Sequence, residues 1–301
     1  ITCKNGYIHK VEGVMTASEN MASIIRNHSN MSGWSRLIDR YSAPYYDDAI
    51  TKEYDRLYNS TDSVFIMKYF SAVANTTSGD NKVDPDKQNV GAFLSFDPGW
   101  NQYMYKNTSG MTLNYDCGAM LVPTNAALDE WWNSGGKPLK DEYKSWDNVP
   151  DQVLSKLINV NMIPQFASTV PSKFSNIVND AKVELGVKPA DVDSCFMGCN
   201  GVVYLTNKVF SPAAYASVSF PALIHTETMN IIYWGIDQLA FDAYLNSMDS
   251  RYSFIIPTNT AMMRYIDPCS YGATKTVMYQ FFYDNDKKTV GAHRFQYDLA
   301  T

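Results

Sequence analysis

The chain has 301 residues, 45% of them hydrophobic, and is therefore long enough to bury sizeable cores in about two domains. Its formal net charge is -6 and its pI is about 5.2, which argues against nucleic acid as a partner because binding phosphates requires a basic face. No run of about 18 apolar residues occurs, so the sequence predicts no membrane-spanning helix. Because the chain starts at Ile1 with no signal-peptide pattern, we expect a leader or an upstream region to have been removed.

The segment 1–17 predicts a pair of strands. Asn5-Gly6 is a typical hairpin turn, and the order of turn, strand, short gap and strand that follows it recurs from Asn200-Gly201 to Pro212. Residues 1–17 have no partner strand before them in the sequence. We therefore interpret them as the closing strands of a preceding unit.

From Ser18 onward the sequence predicts helices, because apolar residues recur at spacings of three and four. Residues 45–118 interrupt this pattern and are predicted to be an insertion of roughly sixty residues, long enough for structure of its own. Within the insertion, residues 64–70 predict a strand.

Residues 120–128 predict a buried strand that runs into a capped helix. The apolar residues favour the strand, Pro123 ends its hydrogen-bond ladder, and Thr124 and Asn125 are of the types that cap helices. The same pattern recurs 134 positions later, in residues 254–262. We therefore expect two copies of one strand-to-helix junction, each with a buried strand.

Other elements are predicted on both sides of the second Asn-Gly turn. Amphipathic periodicity predicts a helix that starts at Pro150, and further helices over 174–185 and 227–248. Residues 277–283 and 293–297 predict the two strands of a hairpin.

The five cysteines do not have the spacing of a disulfide scaffold. Only Cys195 and Cys199 are close in sequence, and we interpret them either as a local disulfide or as two free thiols. A zinc site would need two further ligands nearby, which the sequence does not supply. We therefore expect no metal and no cofactor.

Two motifs of the chain resemble the fasciclin (FAS1) family: Leu-Val-Pro-Thr-Asn-x-Ala-Leu at residues 121–128, and the Asn-Gly strand segments followed by a second short strand. The resemblance implies an α+β fold, a FAS1-like β-sandwich wedge with packed helices, in tandem. It implies closing strands of a preceding unit at 1–17, a FAS1-like domain at 18–216 with the insertion at about 45–118, and the opening part of a further unit at 217–301. The chain departs from the family at residues 157–163, where the histidine of a family Tyr-His pair is missing.

The aromatic residues of the insertion are candidate ligand-binding residues. Phe96, Trp100, Tyr103 and Tyr105 lie close together in the densest aromatic stretch of the chain. Flat rings beside polar side chains suit stacking on a sugar or packing against another protein. The alternative is that these rings form a small core of the insertion itself.

The chain lacks the sequence motifs of several enzyme classes, including the serine-hydrolase turn, the zinc-protease helix and the phosphate loop, so we expect it not to be an enzyme. The FAS1 resemblance implies an extracellular or cell-surface adhesion or assembly module that binds a protein partner. A glycan-binding surface protein that uses the aromatic insertion is the second hypothesis, and a hydrolase with an unrecognised site is the third. A composition rich in asparagine, tyrosine and aspartate is similar to that of bacterial surface lipoproteins. This analogy implies a lipid anchor on an outer membrane and a role as an accessory subunit of a nutrient importer there.

Overall fold

The computed structural model describes residues 2–4, 6–7, 10, 19–69, 71, 94–100, 118–164, 169–285 and 289–298. In these ranges the chain is a mixture of helices and several small sheets, which agrees with the predicted α+β class. Among the helices described, none is both long enough and apolar enough to cross a bilayer.

The described residues form ten α-helices, eleven strands and six short 3-10 helices. The helices are α1 (Met21–Asn27), α2 (Ser32–Asp39), α3 (Asp48–Tyr58), α4 (Asn125–Asn133), α5 (Lys137–Tyr143), α6 (Asp151–Val160), α7 (Phe220–Ile224), α8 (Thr226–Gln238), α9 (Asp242–Leu245) and α10 (Asn259–Met262). The strands are β1 (Thr2–Cys3), β2 (Gly6–Tyr7), β3 (Ser42–Tyr46), β4 (Phe65–Tyr69), β5 (Gly118–Pro123), β6 (Met162–Ile163), β7 (Val192–Gly198), β8 (Gly201–Thr206), β9 (Tyr265–Ile266), β10 (Lys275–Asp284) and β11 (Thr289–Asp298).

A four-stranded sheet with the order β6-β5-β8-β7 lies at the centre of the core. Its middle strands β5 and β8 run parallel, with Leu121 opposite Tyr204. Because side chains alternate along a strand, Met120 and Val122 join a large cluster with the helices, and Leu121 joins a smaller cluster on the other face. Both faces of β5 are therefore covered, which explains its uninterrupted apolar sequence.

The first junction, residues 120–128, forms the predicted strand and capped helix. Strand β5 ends at Pro123, and α4 begins two residues later at Asn125. Between them, Thr124 Oγ1 accepts a hydrogen bond of 3.1 Å from the N–H of Ala127. This bond satisfies one of the N–H groups that the first helical turn leaves free, so the predicted cap is confirmed.

The second junction, residues 254–262, keeps the cap but not the strand. Thr258 Oγ1 accepts a hydrogen bond of 3.4 Å from the N–H of Ala261, and α10 follows. Ile255 lies outside any strand and is 91% exposed, whereas Leu121 is 0% exposed. The predicted buried strand is therefore wrong here. The physical reason is that no strand in the described ranges pairs with residues 252–257, and the buried residues of both core clusters lie between residues 21 and 224.

The first junction is held to a helix by an asparagine clamp. Asn125 Oδ1 accepts a hydrogen bond of 2.9 Å from the N–H of Gly33, at the start of α2. Its Nδ2 donates to Ser29 O and to Ser32 Oγ, each at 3.0 Å. One amide side chain thus fixes the start of α4 against the turn that precedes α2.

The second junction carries the same clamp. Asn259 Oδ1 accepts a hydrogen bond of 3.3 Å from the N–H of Ile231 in α8. Its Nδ2 donates to Glu227 O at 3.0 Å and to Asn230 Oδ1 at 2.8 Å. The two clamps have the same spacing. In each, one acceptor of the Nδ2 group lies four residues, and the other one residue, before the residue that donates its N–H to Oδ1. The donor and the asparagine are 92 residues apart in the first clamp and 28 in the second, so the insertion falls inside the first.

The helix predicted over residues 174–185 is wrong. A short 3-10 helix ends at Asn176, and the chain then turns at Asn179. The Oδ1 atom of Asn179 accepts hydrogen bonds from the N–H groups of Ala181 at 2.9 Å and Val183 at 3.1 Å. A side chain that bonds to its own neighbouring backbone competes with a helix, and here it wins.

The helix predicted over residues 227–248 is broken into α8 and α9. Ala240 adopts a φ of +49°, in the left-handed region. The N–H of Phe241 bonds to Ile236 O at 2.9 Å, and the N–H of Ala240 bonds to Asp237 O at 3.0 Å. These two bonds form the Schellman motif that ends helices, although an alanine occupies the position where glycine is usual.

The hairpin predicted at residues 277–283 and 293–297 and the strand of the insertion are confirmed, whereas the second strand predicted to end at Pro212 is wrong, because β8 ends at Thr206 and pairs with the strand that precedes the Asn-Gly turn. Strands β10 and β11 pair without interruption from Lys275 opposite Asp298 to Asp284 opposite Thr289. The Asn-Gly turn at Gly201 joins β7 to β8, and β4 lies within the predicted range 64–70. Turn dipeptides and apolar alternation are thus sufficient to place these strands.

Candidate functional site

Helix α3, within the insertion, has an apolar side that is exposed to solvent. Ile50, Tyr54, Leu57 and Tyr58 lie at helical spacings of four, three and one, so they share one side of the helix; we call them the α3 apolar face. Leu57 is 58% exposed and Tyr58 is 69% exposed. The rings of Tyr54 and Tyr58 are 4.8 Å apart and form a continuous aromatic surface.

The rest of the chain holds α3 by its first turn. Asp47 Oδ1 caps the helix by accepting a hydrogen bond of 2.9 Å from the N–H of Ile50. Thr51, the buried residue of α3, accepts a hydrogen bond of 3.0 Å from the N–H of Val64, which leads into β4. The N–H of Asp47 bonds to Val64 O at 3.0 Å. These bonds fix the helix to the β3–β4 pair and leave the α3 apolar face outward.

The opposite side of α3 carries paired charges. Lys52 bonds to Asp48 and Arg56 bonds to Glu53, each at 2.6 Å. Both pairs are largely exposed to solvent, so they contribute solubility and helix support rather than much stability. Helix α3 is therefore amphipathic, with its apolar side unused by the core of the described residues.

The four aromatic residues predicted to bind a ligand are only partly described. Phe96 is 2% exposed and belongs to the large core cluster, and so not to a separate small core of the insertion. Trp100 is half-buried and packs against that cluster. Tyr103 and Tyr105 lie outside the described residues, so their part of the prediction stays a prediction.

The ring of Trp100 is already in contact with the protein. The Arg26 guanidinium carbon lies 3.8 Å from the ring centroid, and the ring of Tyr69 is centred 5.2 Å away. Arginine over an indole face is a favourable cation–π arrangement. A sugar that stacks on Trp100 would have to displace Arg26 or bind the part of the ring that Tyr69 does not cover.

A polar network holds Arg26 in this position. Its Nη2 donates a hydrogen bond of 3.0 Å to the hydroxyl of Tyr69, which in turn donates one of 2.7 Å to Asp39 Oδ1. Burial, together with the neighbouring carboxylate of Asp39, raises the pKa of Tyr69 well above its ordinary value. The tyrosine therefore stays protonated and acts as a fixed donor that links the arginine to the carboxylate.

The segment that carries Phe96 and Trp100 is also tied to the Asn-Gly turn before β8. Asn200 Nδ2 donates to Pro98 O at 2.9 Å, and Asn200 Oδ1 accepts a hydrogen bond of 2.9 Å from the N–H of Met21. The N–H of Ala22 also bonds to Pro98 O, at 3.2 Å. From the sequence, Asn200 is predicted only to form a turn, and its recurrence as Asn5 is the one signal that it does more.

In the part of the chain that the structure describes, the cysteines and the other possible metal ligands do not form a site. Cys195 is a free thiol, so no disulfide joins it to Cys199, and the local disulfide left open by their spacing is excluded. Burial raises the pKa of Cys195 above its ordinary value. Within the described ranges, no three His, Cys, Asp or Glu side chains are placed to hold a metal ion.

Several large apolar side chains are also exposed on the part of the chain that follows α8. They include aromatic and aliphatic side chains from the helix break, the second junction and the β10–β11 hairpin. The residues are Leu239, Phe241, Tyr244, Met248, Tyr252, Ile255, Met263, Tyr265, Ile266, Tyr271, Phe282, Phe295 and Tyr297. Tyr265 and Ile266 are neighbours on one strand and point to opposite faces of the sheet, so these side chains do not all lie on one surface.

Comparison with known proteins adds no relative to these observations. No protein-family model, no curated protein and no solved structure matches the chain.

Proposed function

We propose that this chain is a non-enzymatic adhesion or assembly module, extracellular or on a cell surface, and that it binds a protein partner through the α3 apolar face. In this proposal the fold is a FAS1-like β-sandwich wedge with packed helices, repeated in tandem. The repeated Thr cap and asparagine clamp at the two junctions support a duplicated unit.

The observation that carries the proposal is the exposure of Leu57 and Tyr58 on a helix that the rest of the chain fixes in place. Tyrosines and leucines on one side of a rigid helix suit insertion into a groove of another protein. Because the helix is already ordered, binding would cost little further conformational entropy. The insertion is also the part that the second junction lacks, so it adds a surface without serving the shared fold.

We extend the proposal to location and partner class. A surface lipoprotein anchored to an outer membrane, acting as an accessory subunit of a nutrient importer, accounts for the asparagine- and tyrosine-rich composition. This extension rests on analogy of composition, whereas the binding surface rests on geometry.

Glycan binding has weaker support. It requires an open aromatic face in the insertion, and Arg26 lies 3.8 Å from the ring centroid of Trp100. Phe96 is in the core and offers no face to a sugar.

The test is photo-crosslinking on intact cells that carry the chain. A photoreactive residue replaces Ile50 of the α3 apolar face, and in a separate variant it replaces Val183, which is exposed to a similar extent outside both groups of exposed apolar side chains. We expect a discrete crosslinked protein from the first position, and at least about a tenfold loss of that product when Leu57→Asp and Tyr58→Asp are added, because two central anchors are removed. Equal products from both positions, or no loss with the double substitution, would contradict the proposed surface.

A further inference from the structure

The second junction contains a segment, residues 252–257, that forms no strand in the described structure; we call it the open edge. Residues 252–257 correspond to β5, which lies 134 positions earlier, but no strand among the described residues pairs with them. Phe254 and Ile256 are half-buried and Ile255 is exposed, which is the alternation of a strand covered on one face only. The face on which Leu121 is buried in the first junction is therefore uncovered in the second.

Strand β8 shows what covers this edge in the first junction. It pairs in parallel with β5, beginning with Gly201 opposite Gly118. Gly201 has a φ of +150°, and a Cβ atom there would lie 2.2 Å from Gly118 O. The covering strand must therefore start with glycine, directly after its hairpin turn.

The β1–β2 hairpin has the same register at its turn as the β7–β8 hairpin. Gly201 pairs with Gly198 in one, and Gly6 pairs with Cys3 in the other. The next pair outward is Val202 with Met197 in the β7–β8 hairpin. In the β1–β2 hairpin it is Tyr7 with Thr2. Both hairpins thus place the Gly of an Asn-Gly turn at the start of the second strand.

We propose that the β1–β2 hairpin of a second copy of this chain covers the open edge at residues 252–257. Strand β2 pairs in parallel with the edge, with Gly6 opposite Tyr252 and Tyr7 opposite Ser253. The unpaired backbone groups of the edge supply hydrogen bonds, as in other cases of strand addition. The occupant is a second copy because, among the described residues of one chain, β1 and β2 pair only with each other and the open edge pairs with nothing.

One difference between the junctions fits this pairing. The edge has Tyr252 where β5 has Gly118. At Gly118 a Cβ atom would meet Ile163 O at 2.6 Å and the Phe96 ring at 2.9 Å. The second junction lacks the insertion that carries Phe96, and no described strand lies beside Tyr252 as β6 with Ile163 lies beside Gly118, so a side chain is tolerated at Tyr252. The glycine that faces the partner's backbone, Gly6, is retained.

Each molecule then has one donor hairpin and one acceptor edge. Such head-to-tail contacts close into rings or continue as filaments, depending on the rotation between neighbours. This assembly goes beyond the proposed function and does not use the α3 apolar face. The Leu57→Asp, Tyr58→Asp chain should therefore assemble normally, so that failure of one proposal can be told apart from failure of the other.

Sedimentation of the full chain over a range of concentrations tests the assembly. We expect the average mass to rise with concentration for the native chain, and to stay at the monomer mass for Ile255→Asp and for Gly6→Val. Leu239→Asp and Gly235→Ala are matched controls, because Leu239 is exposed outside the edge and an added Cβ at Gly235 meets nothing within 4 Å. A native chain that stays monomeric at every concentration, or an Ile255→Asp chain that assembles like the native one, would overturn the proposal.

Disulfide trapping tests the register and the second copy together. Two chains with different tags, one with Tyr7→Cys and one with Ser253→Cys, are mixed in a background where the five native cysteines are serine. Neighbouring strands bring facing Cβ atoms close enough for a disulfide, so we expect a reducible heterodimer from the mixture. Absence of the heterodimer, or a bond formed within single molecules when one chain carries both cysteines, would refute pairing between copies.

Discussion

The two junctions share their sequence pattern, their Thr cap and their asparagine clamp, and yet Leu121 is 0% exposed while the corresponding Ile255 is 91% exposed. The caps depend on residues within one helical turn, and the clamps need a helix that packs against the start of the capped helix; both junctions supply these. Burial depends on a strand and a second layer of side chains from distant parts of the chain, which the described residues provide only for the first junction. Local sequence therefore determines the cap, the packing of one helix on another determines the clamp, and pairing with a distant strand determines whether the junction strand is buried.

The largest expected effect comes from truncating the two corresponding apolar residues. Leu121→Ala should lower the free energy of unfolding by about 2–5 kcal/mol, because it leaves a cavity in a core strand. Ile255→Ala should change it by no more than about 0.5 kcal/mol, because the side chain is in solvent. Chemical denaturation of both variants measures the difference.

Protein concentration is the control for this pair of variants. In dilute solution the two variants should differ most in their free energy of unfolding. At high concentration Ile255→Ala should also become destabilising if a second copy covers the edge. Equal losses for Leu121→Ala and Ile255→Ala in dilute solution would mean that the two strands have the same surroundings, contrary to the structure.

A smaller effect is expected from the clamps. Asn125→Ala leaves the N–H of Gly33 without its partner and should cost about 1–3 kcal/mol. Asn259→Ala should cost about 1 kcal/mol or less, because its bond to the N–H of Ile231 is longer, at 3.3 Å, and α10 has only four residues.

Thermal denaturation of both variants measures the clamp, with Asn133→Ala as the control. Asn133 donates within α4 to Asp129 O on the exposed side of the helix, so its loss should have almost no effect. If Asn259→Ala lost more stability than Asn125→Ala, the expectation that the first clamp contributes more than the second would be wrong.

The features that depend on neighbouring residues were predictable from the sequence. The cap at Thr124, the hairpin turns and strand β4 follow from residue types and short-range spacing, and the structure has them. The helix predicted over 174–185 failed because the Asn179 side chain offered the backbone a competing turn. Apolar periodicity contains no information on such side-chain bonds.

The candidate site was predicted less well than the fold. Aromatic density drew attention to Phe96 and Trp100, but density alone does not distinguish a core from a binding surface, and both rings pack on the core. The α3 apolar face was missed, although its four residues already show helical spacing in the sequence. Its exposure could not be predicted, because it depends on which side of α3 packs against the β3–β4 pair.

Amide hydrogen exchange on the dilute chain tests the contrast between the two junctions most directly. We predict strong protection for residues 119–122, whose amides lie between two paired strands, and exchange near the unprotected rate for residues 253–256. Comparable protection in the two segments at monomeric concentrations would contradict this contrast, because residues 253–256 would then be paired within a single chain.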